Sequence, residues 1–85
     1  MEANEFIPKC KQLVAEYANQ NTIVRGIVSP EEVYVVWQVK VLQNAKALLS
    51  TDLPDGMYYE LTLNGDKDEI YFDAYKKVEN IKVEV

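Results

Sequence analysis

An 85-residue chain that is 48% hydrophobic has enough apolar material for a single domain, residues 1–85, with a thin core, and lies above the range of disordered sequences. Fourteen acidic residues against nine basic ones give a net charge of −5, and the scattered lysines and arginines offer no basic footprint to a phosphate backbone, so nucleic acid is an unexpected partner. No apolar run approaches the roughly 20 residues that span a bilayer, the acidic start Met1-Glu2-Ala3-Asn4-Glu5 lacks the basic region of a signal peptide, and a lone Cys10 suits a reducing compartment, so a cytoplasmic protein with no membrane association is expected.

Residues 5–19 read as a helix. Phe6, Ile7, Cys10, Leu13, Val14, Tyr17 and Ala18 recur three and four apart and form one stripe, with Lys9, Lys11, Gln12 and Glu16 on the other side. Pro8 suits only the first turn, and Asn19-Gln20-Asn21 supplies a stop. Residues 22–28 are β-branched but broken by Gly26, and read as a short edge strand or an extended linker. Ser29-Pro30-Glu31-Glu32 has the cap, the proline and the glutamate of a helix start. Val33, Val35, Trp37, Val39 and Val41 then alternate strictly in a β-branched stretch, which favours one helical turn followed by a strand. A helix over 30–50 is the alternative.

The remainder reads as a meander whose register follows from its turns. A three-residue loop Leu42-Gln43-Asn44, with Asn44 left-handed, pairs Val39 with Ala47 and Trp37 with Leu49. A loop Pro54-Asp55-Gly56, with Gly56 left-handed, pairs Leu53 with Met57, Thr51 with Tyr59 and Leu49 with Leu61. A two-residue turn at Asn64-Gly65 would set Leu63 against Asp66 and Leu61 against Asp68. A four-residue loop from Asn64 to Lys67 instead sets Leu61 against Ile70, Tyr59 against Phe72 and Met57 against Ala74. The rows Trp37-Leu49-Leu61-Ile70 and Val35-Thr51-Tyr59-Phe72 then make an apolar face for the helix to cover. The last stretch, Ile81-Lys82-Val83-Glu84-Val85, alternates again and offers a further strand after a turn near 75–80. The expected fold class is α+β: an N-terminal helix packed on one face of an antiparallel β-meander of four strands, or five.

The chemistry is defined mostly by what is missing. With no histidine, the commonest general base and the commonest metal ligand are absent. Cys10 lies on the apolar stripe with no base to activate it, and reads as a small buried hydrophobe. Asn64, Asp66, Asp68 and Glu69 fail the spacing of a calcium loop, since Gly65 stands second rather than sixth. The acidic pairs Glu31/Glu32, Asp68/Glu69 and Glu60 with Asp73 read as solvated charge. No enzyme, cofactor or metal site is expected. Of the aromatic residues, Tyr17, Trp37 and Tyr59 fall on the expected core faces. Tyr34, Val36, Leu48, Tyr58 and Tyr71 fall on the opposite face of the sheet, and Tyr75 continues the parity of Tyr71. Lys40, Lys46, Asp52, Glu60, Glu69 and Asp73 share that face. This mixture suits either an ordinary amphipathic face turned to solvent or a protein-contact face, with an unidentified protein or a second copy (a homodimer) as partner. The alternative is a nucleic-acid-related role, as a single-strand binder through the tyrosines or an acidic DNA mimic.

The run Val33-Tyr34-Val35-Val36-Trp37, followed by Leu42-Gln43-Asn44, Lys46-Ala47-Leu48-Leu49-Ser50-Thr51, Asp55-Gly56-Met57-Tyr58-Tyr59-Glu60, Asn64-Gly65-Asp66-Lys67 and Asp73-Ala74-Tyr75-Lys76-Lys77, resembles a family of small proteins encoded by phages and prophages of Gram-positive bacteria, described only as a domain of unknown function. The resemblance covers residues 33 to 80 well and the N-terminal helix loosely; Val78 departs from it, standing where a tryptophan is expected. It implies a bacterial cytoplasmic setting, a phage or prophage origin and an accessory role, and it brings no catalytic residue or cofactor.

Overall fold

The computed structural model describes residues 1–21 and 27–85. A 3₁₀ turn, Ala3–Glu5, leads into helix α1, Phe6–Asn21, so Pro8 does sit in the first helical turn, where its missing N–H is no loss. Phe6, Cys10, Val14, Ala15 and Ala18 are buried, and Ile7, Leu13 and Tyr17 pack at the margins of this stripe. The helix ends at Asn21, whose side-chain amide donates to the Tyr17 carbonyl at 2.9 Å. Asn19 grips the returning chain at two points: its Nδ2 donates to the Val28 carbonyl at 3.0 Å, and its Oδ1 accepts the Val28 N–H at 2.8 Å. The strand or linker expected over 22–28 falls largely outside the described residues; Ile27 and Val28 belong to no regular element.

A second 3₁₀ turn, Pro30–Glu32, is closed by the Glu32 carboxylate accepting the Ser29 N–H at 2.9 Å, and a strand follows it. The alternative of one helix over 30–50 is therefore excluded. Strands β1 (Tyr34–Val41), β2 (Asn44–Ser50), β3 (Met57–Asn64) and β4 (Glu69–Lys76) form one antiparallel sheet in the order β1-β2-β3-β4. α1 packs over β2 and β3. The fold is α+β, one N-terminal helix on an open four-stranded meander. Residues 77–85 form no fifth strand: after Lys77, whose N–H donates to the Gly56 carbonyl at 2.8 Å, the segment belongs to no regular element and is exposed.

The register differs from expectation at each hairpin. Between β2 and β3, Leu49 opposes Tyr59 and Ala47 opposes Leu61, so the loop runs from Thr51 to Gly56 instead of closing at Pro54. Side chains build this longer loop: Thr51 Oγ1 accepts the Leu53 N–H at 3.2 Å, and Asp55 Oδ1 accepts the Met57 N–H at 3.1 Å. Gly56 is left-handed there, at φ 69°. Between β3 and β4, Leu61 opposes Phe72 and Leu63 opposes Ile70, with Asn64 closing β3 and accepting the Asp66 and Lys67 amides on its Oδ1. Both shifts are by two residues, so the faces of β2, β3 and β4 are as expected.

In β1 the face itself changes. The turn to β2 has two residues, Leu42 and Gln43, and Leu42 rather than Asn44 is left-handed, at φ 56°. Its carbonyl accepts Lys40 Nζ at 2.6 Å, and the neighbouring Gly65 N–H donates to Asn44 Oδ1 at 3.2 Å. Trp37 consequently opposes Leu48, not Leu49. A β-bulge at Val36 then restores Val35 to a position opposite Leu49. Val33 and Val35 therefore face the helix, while Trp37, Val39 and Val41 face away from it. Gln38 and Lys40 take the helix side, where they line an open cleft of about 390 Å³ instead of packed core. The core is closed by Leu49, Leu61 and an aromatic cluster in which Tyr17 of α1 meets Tyr59 at 5.6 Å and Phe72 at 5.2 Å between ring centroids.

Candidate docking face

The face turned away from α1 is built by cross-strand rows. Tyr34, Ser50, Tyr58 and Tyr75 form one row; Trp37, Leu48, Glu60 and Asp73 the next; Val39, Lys46, Thr62 and Tyr71 the third. Of the six residues expected on a contact face, Tyr34, Leu48, Tyr58, Tyr71 and Tyr75 lie on this side, and Val36 stands unpaired at the bulge between Val35 and Trp37. Leu48 and Tyr58 are half-buried and the other four are exposed. Trp37, Val39 and Val41, which were expected inward or were not singled out, join them at 41%, 51% and 61% exposure. The missing signal was the bulge: Val35, Val36 and Trp37 are all apolar, so the sequence carries no polar residue to mark where parity changes. Lys40 leaves the face for the helix side, and Asp52 lies in the loop after β2.

The face carries more acid than base, Glu60, Glu69 and Asp73 against Lys46. Lys46 Nζ lies 3.8 Å from Glu60, and Lys77 Nζ stands 5.8 Å from the centroid of the Tyr58 ring. The Tyr71 hydroxyl donates to Glu69 at 2.8 Å, and that hydrogen bond, with the carboxylate's charge, raises the phenol above its ordinary range. Tyr75 is raised by the charges of Asp73 and Glu60. Both rings thus stay neutral at physiological pH, with apolar flanks and a wet hydroxyl.

Elsewhere the chemistry-bearing residues are accounted for by local structure. Cys10 is fully buried, and desolvation pushes its thiol up to about 12. Asp68 binds the Met1 amino group at 2.9 Å. Among the described residues no group of three or more Cys, Asp or Glu is gathered as a metal cage. The cleft beside β1 is lined by Phe6, Ile7, Ala45 and Leu63, with Gln38 and Lys40 at its polar side. Among the described residues no helix is long and apolar enough to cross a membrane.

These features define a helix-backed antiparallel meander whose second face is rich in aromatic and β-branched residues and is packed against no described element. Over residues 7–85 the chain matches a family described as of unknown function, DUF6275, and it belongs to that family. Comparison with curated proteins and with solved structures returned no match.

Proposed function

We propose that the protein is a non-catalytic interaction module that docks another protein chain on the sheet face opposite α1. One observation carries this reading: an apolar stripe, Val36, Trp37, Val39, Val41 and Leu48, runs beside four tyrosines and is left uncovered by α1 and by residues 77–85. Large apolar patches with tyrosine at their margins are the usual anchors of protein contacts. The resemblance to phage and prophage proteins of Gram-positive bacteria supports an accessory role in that cytoplasmic setting. The nucleic-acid reading has less support. Lys46 is engaged with Glu60, and Glu69 and Asp73 stand beside the tyrosines where a strand's phosphates would run. For mimicry, the acids are too few and too interspersed with apolar groups.

The test replaces two exposed rings, Trp37→Ser with Tyr71→Ser, and reads association by sedimentation equilibrium. The fold is expected to persist, because neither ring contacts the core beneath α1. Association is expected to weaken by about tenfold or more, the scale of losing aromatic anchors. Unchanged association in the double variant would reject the docking face.

A further inference from the structure

A second unpartnered feature lies in the same chain. Residues 81–85 alternate Ile81, Val83 and Val85 with Lys82 and Glu84, the pattern of a strand with one dry side. Yet Ile81 and Val83 are 70% and 72% exposed, with no neighbour to cover them. At the far side of the sheet β1 is an edge strand of eight residues, with no described residue paired to its outer side. Such an edge, long and apolar, is ordinarily covered. The two elements have matching sides. On β1, Trp37, Val39 and Val41 face away from the helix while Gln38 and Lys40 face towards it. Added beside β1, the segment continues the apolar side with Ile81, Val83 and Val85, and brings Glu84 to the side of Lys40.

We propose that the partner is a second copy of this chain, packed face to face, with residues 81–85 of each copy added to the outer edge of the other's β1. The proposal rests on the docking face described above and gives it an occupant. Reach decides between the chain's own edge and its partner's. Residues 77–80, fully extended, span about 14 Å. The outer side of the chain's own β1 lies about four strand spacings from β4, or roughly 19 Å. A two-fold axis parallel to the strands sets β4 of one copy over β1 of the other, with the sheets about 10 Å apart, so the partner's edge is only about 11 Å away. Direction also agrees. β4 ends beside the start of β1, since Tyr75, Tyr58, Ser50 and Tyr34 share a row, and the segment then runs parallel to β1 from Tyr34 towards Val41. The same axis lays the acidic tyrosine half of each face over the partner's apolar half and keeps Asp73 from meeting Asp73. A face of four strands, three of eight residues and one of seven, measures about 19 by 26 Å, and the added strand brings it towards the ~800 Å² per partner of a standard interface.

The test uses the full chain and Ile81→Asp with Val83→Asp, two substitutions at positions too exposed to disturb the fold. Sedimentation equilibrium and amide hydrogen exchange are followed from micromolar to millimolar protein. The wild type is expected to form dimers, with protection rising together in 34–41 and 81–85 as concentration rises. The double variant is expected to associate about tenfold more weakly or worse. Three results would overturn the exchange: a wild type that stays monomeric; protection of 81–85 that ignores concentration, which means pairing on the chain's own β4; or dimers that survive the two aspartates. Dimers that survive the aspartates but yield to Trp37→Ser with Tyr71→Ser would leave the docking face standing without the exchanged strand. Dimers indifferent to both pairs would remove the two proposals together.

Discussion

Leu61 is fully buried, opposite Ala47 on one side and Phe72 on the other, beneath α1. Leu61→Ala is expected to destabilise the fold by about 2–5 kcal/mol in chemical denaturation, since truncation leaves a cavity that close-packed neighbours fill only in part. Gly65 is needed for a different reason. A Cβ there would collide with the backbone carbonyl of Gln43, because the two hairpin tips press together. Gly65→Ala should lower stability by about 1–3 kcal/mol, as overpacking does, and a denaturation midpoint equal to wild type would count against the tip contact. Cys10 carries a prediction in time: its buried thiol, pushed up to about 12, should resist a thiol reagent at pH 8 in the native protein and react at once in denaturant. Tyrosines supply the pH dependence. Burial raises Tyr59, and carboxylates raise Tyr71 and Tyr75, above the ordinary phenol value of 10.0. The unfolded chain therefore loses those protons first. Stability from these groups is complete below pH 10 and falls as pH climbs through 10 towards the raised native values, which denaturation midpoints on either side of pH 10 would register.

At the scale of elements, α1 and the faces of β2, β3 and β4 were legible because each rests on a period that survives small errors. A helical stripe tolerates a changed end, and a two-residue slip leaves strand parity intact. The loop lengths were not legible. Thr51, Asp55 and Asn64 capture backbone amides and set where each strand stops, and similar residues can close several turn types. β1 was misread through the opposite cause, an alternation so regular that it hid the bulge. Because Val36 has no partner on β2, removing it should leave Tyr34 opposite Ser50 and Trp37 opposite Leu48. Deleting Val36 is thus expected to cost less stability than deleting Val39, which breaks the ladder between Trp37 and the turn. Equal losses from the two deletions would argue against the bulge.

At the scale of the whole molecule, one helix covers one side of the sheet, and on the other side aromatic and β-branched residues stand among Lys46, Glu60, Glu69 and Asp73. That face was partly visible in the sequence, where the tyrosines shared a parity; the contribution of Trp37, Val39 and Val41 was not, since it depends on a bulge and a tight turn. Trp37 is the chain's one tryptophan, so its fluorescence reports on this face alone. The most direct measurement is acrylamide quenching of Trp37 across a concentration series. Strong quenching is expected in dilute protein, where the ring is open to solvent, and progressive protection as copies associate. A tryptophan already shielded at the lowest concentration would place it back beneath the helix, and one quenched equally at every concentration would mean that no second copy covers the face.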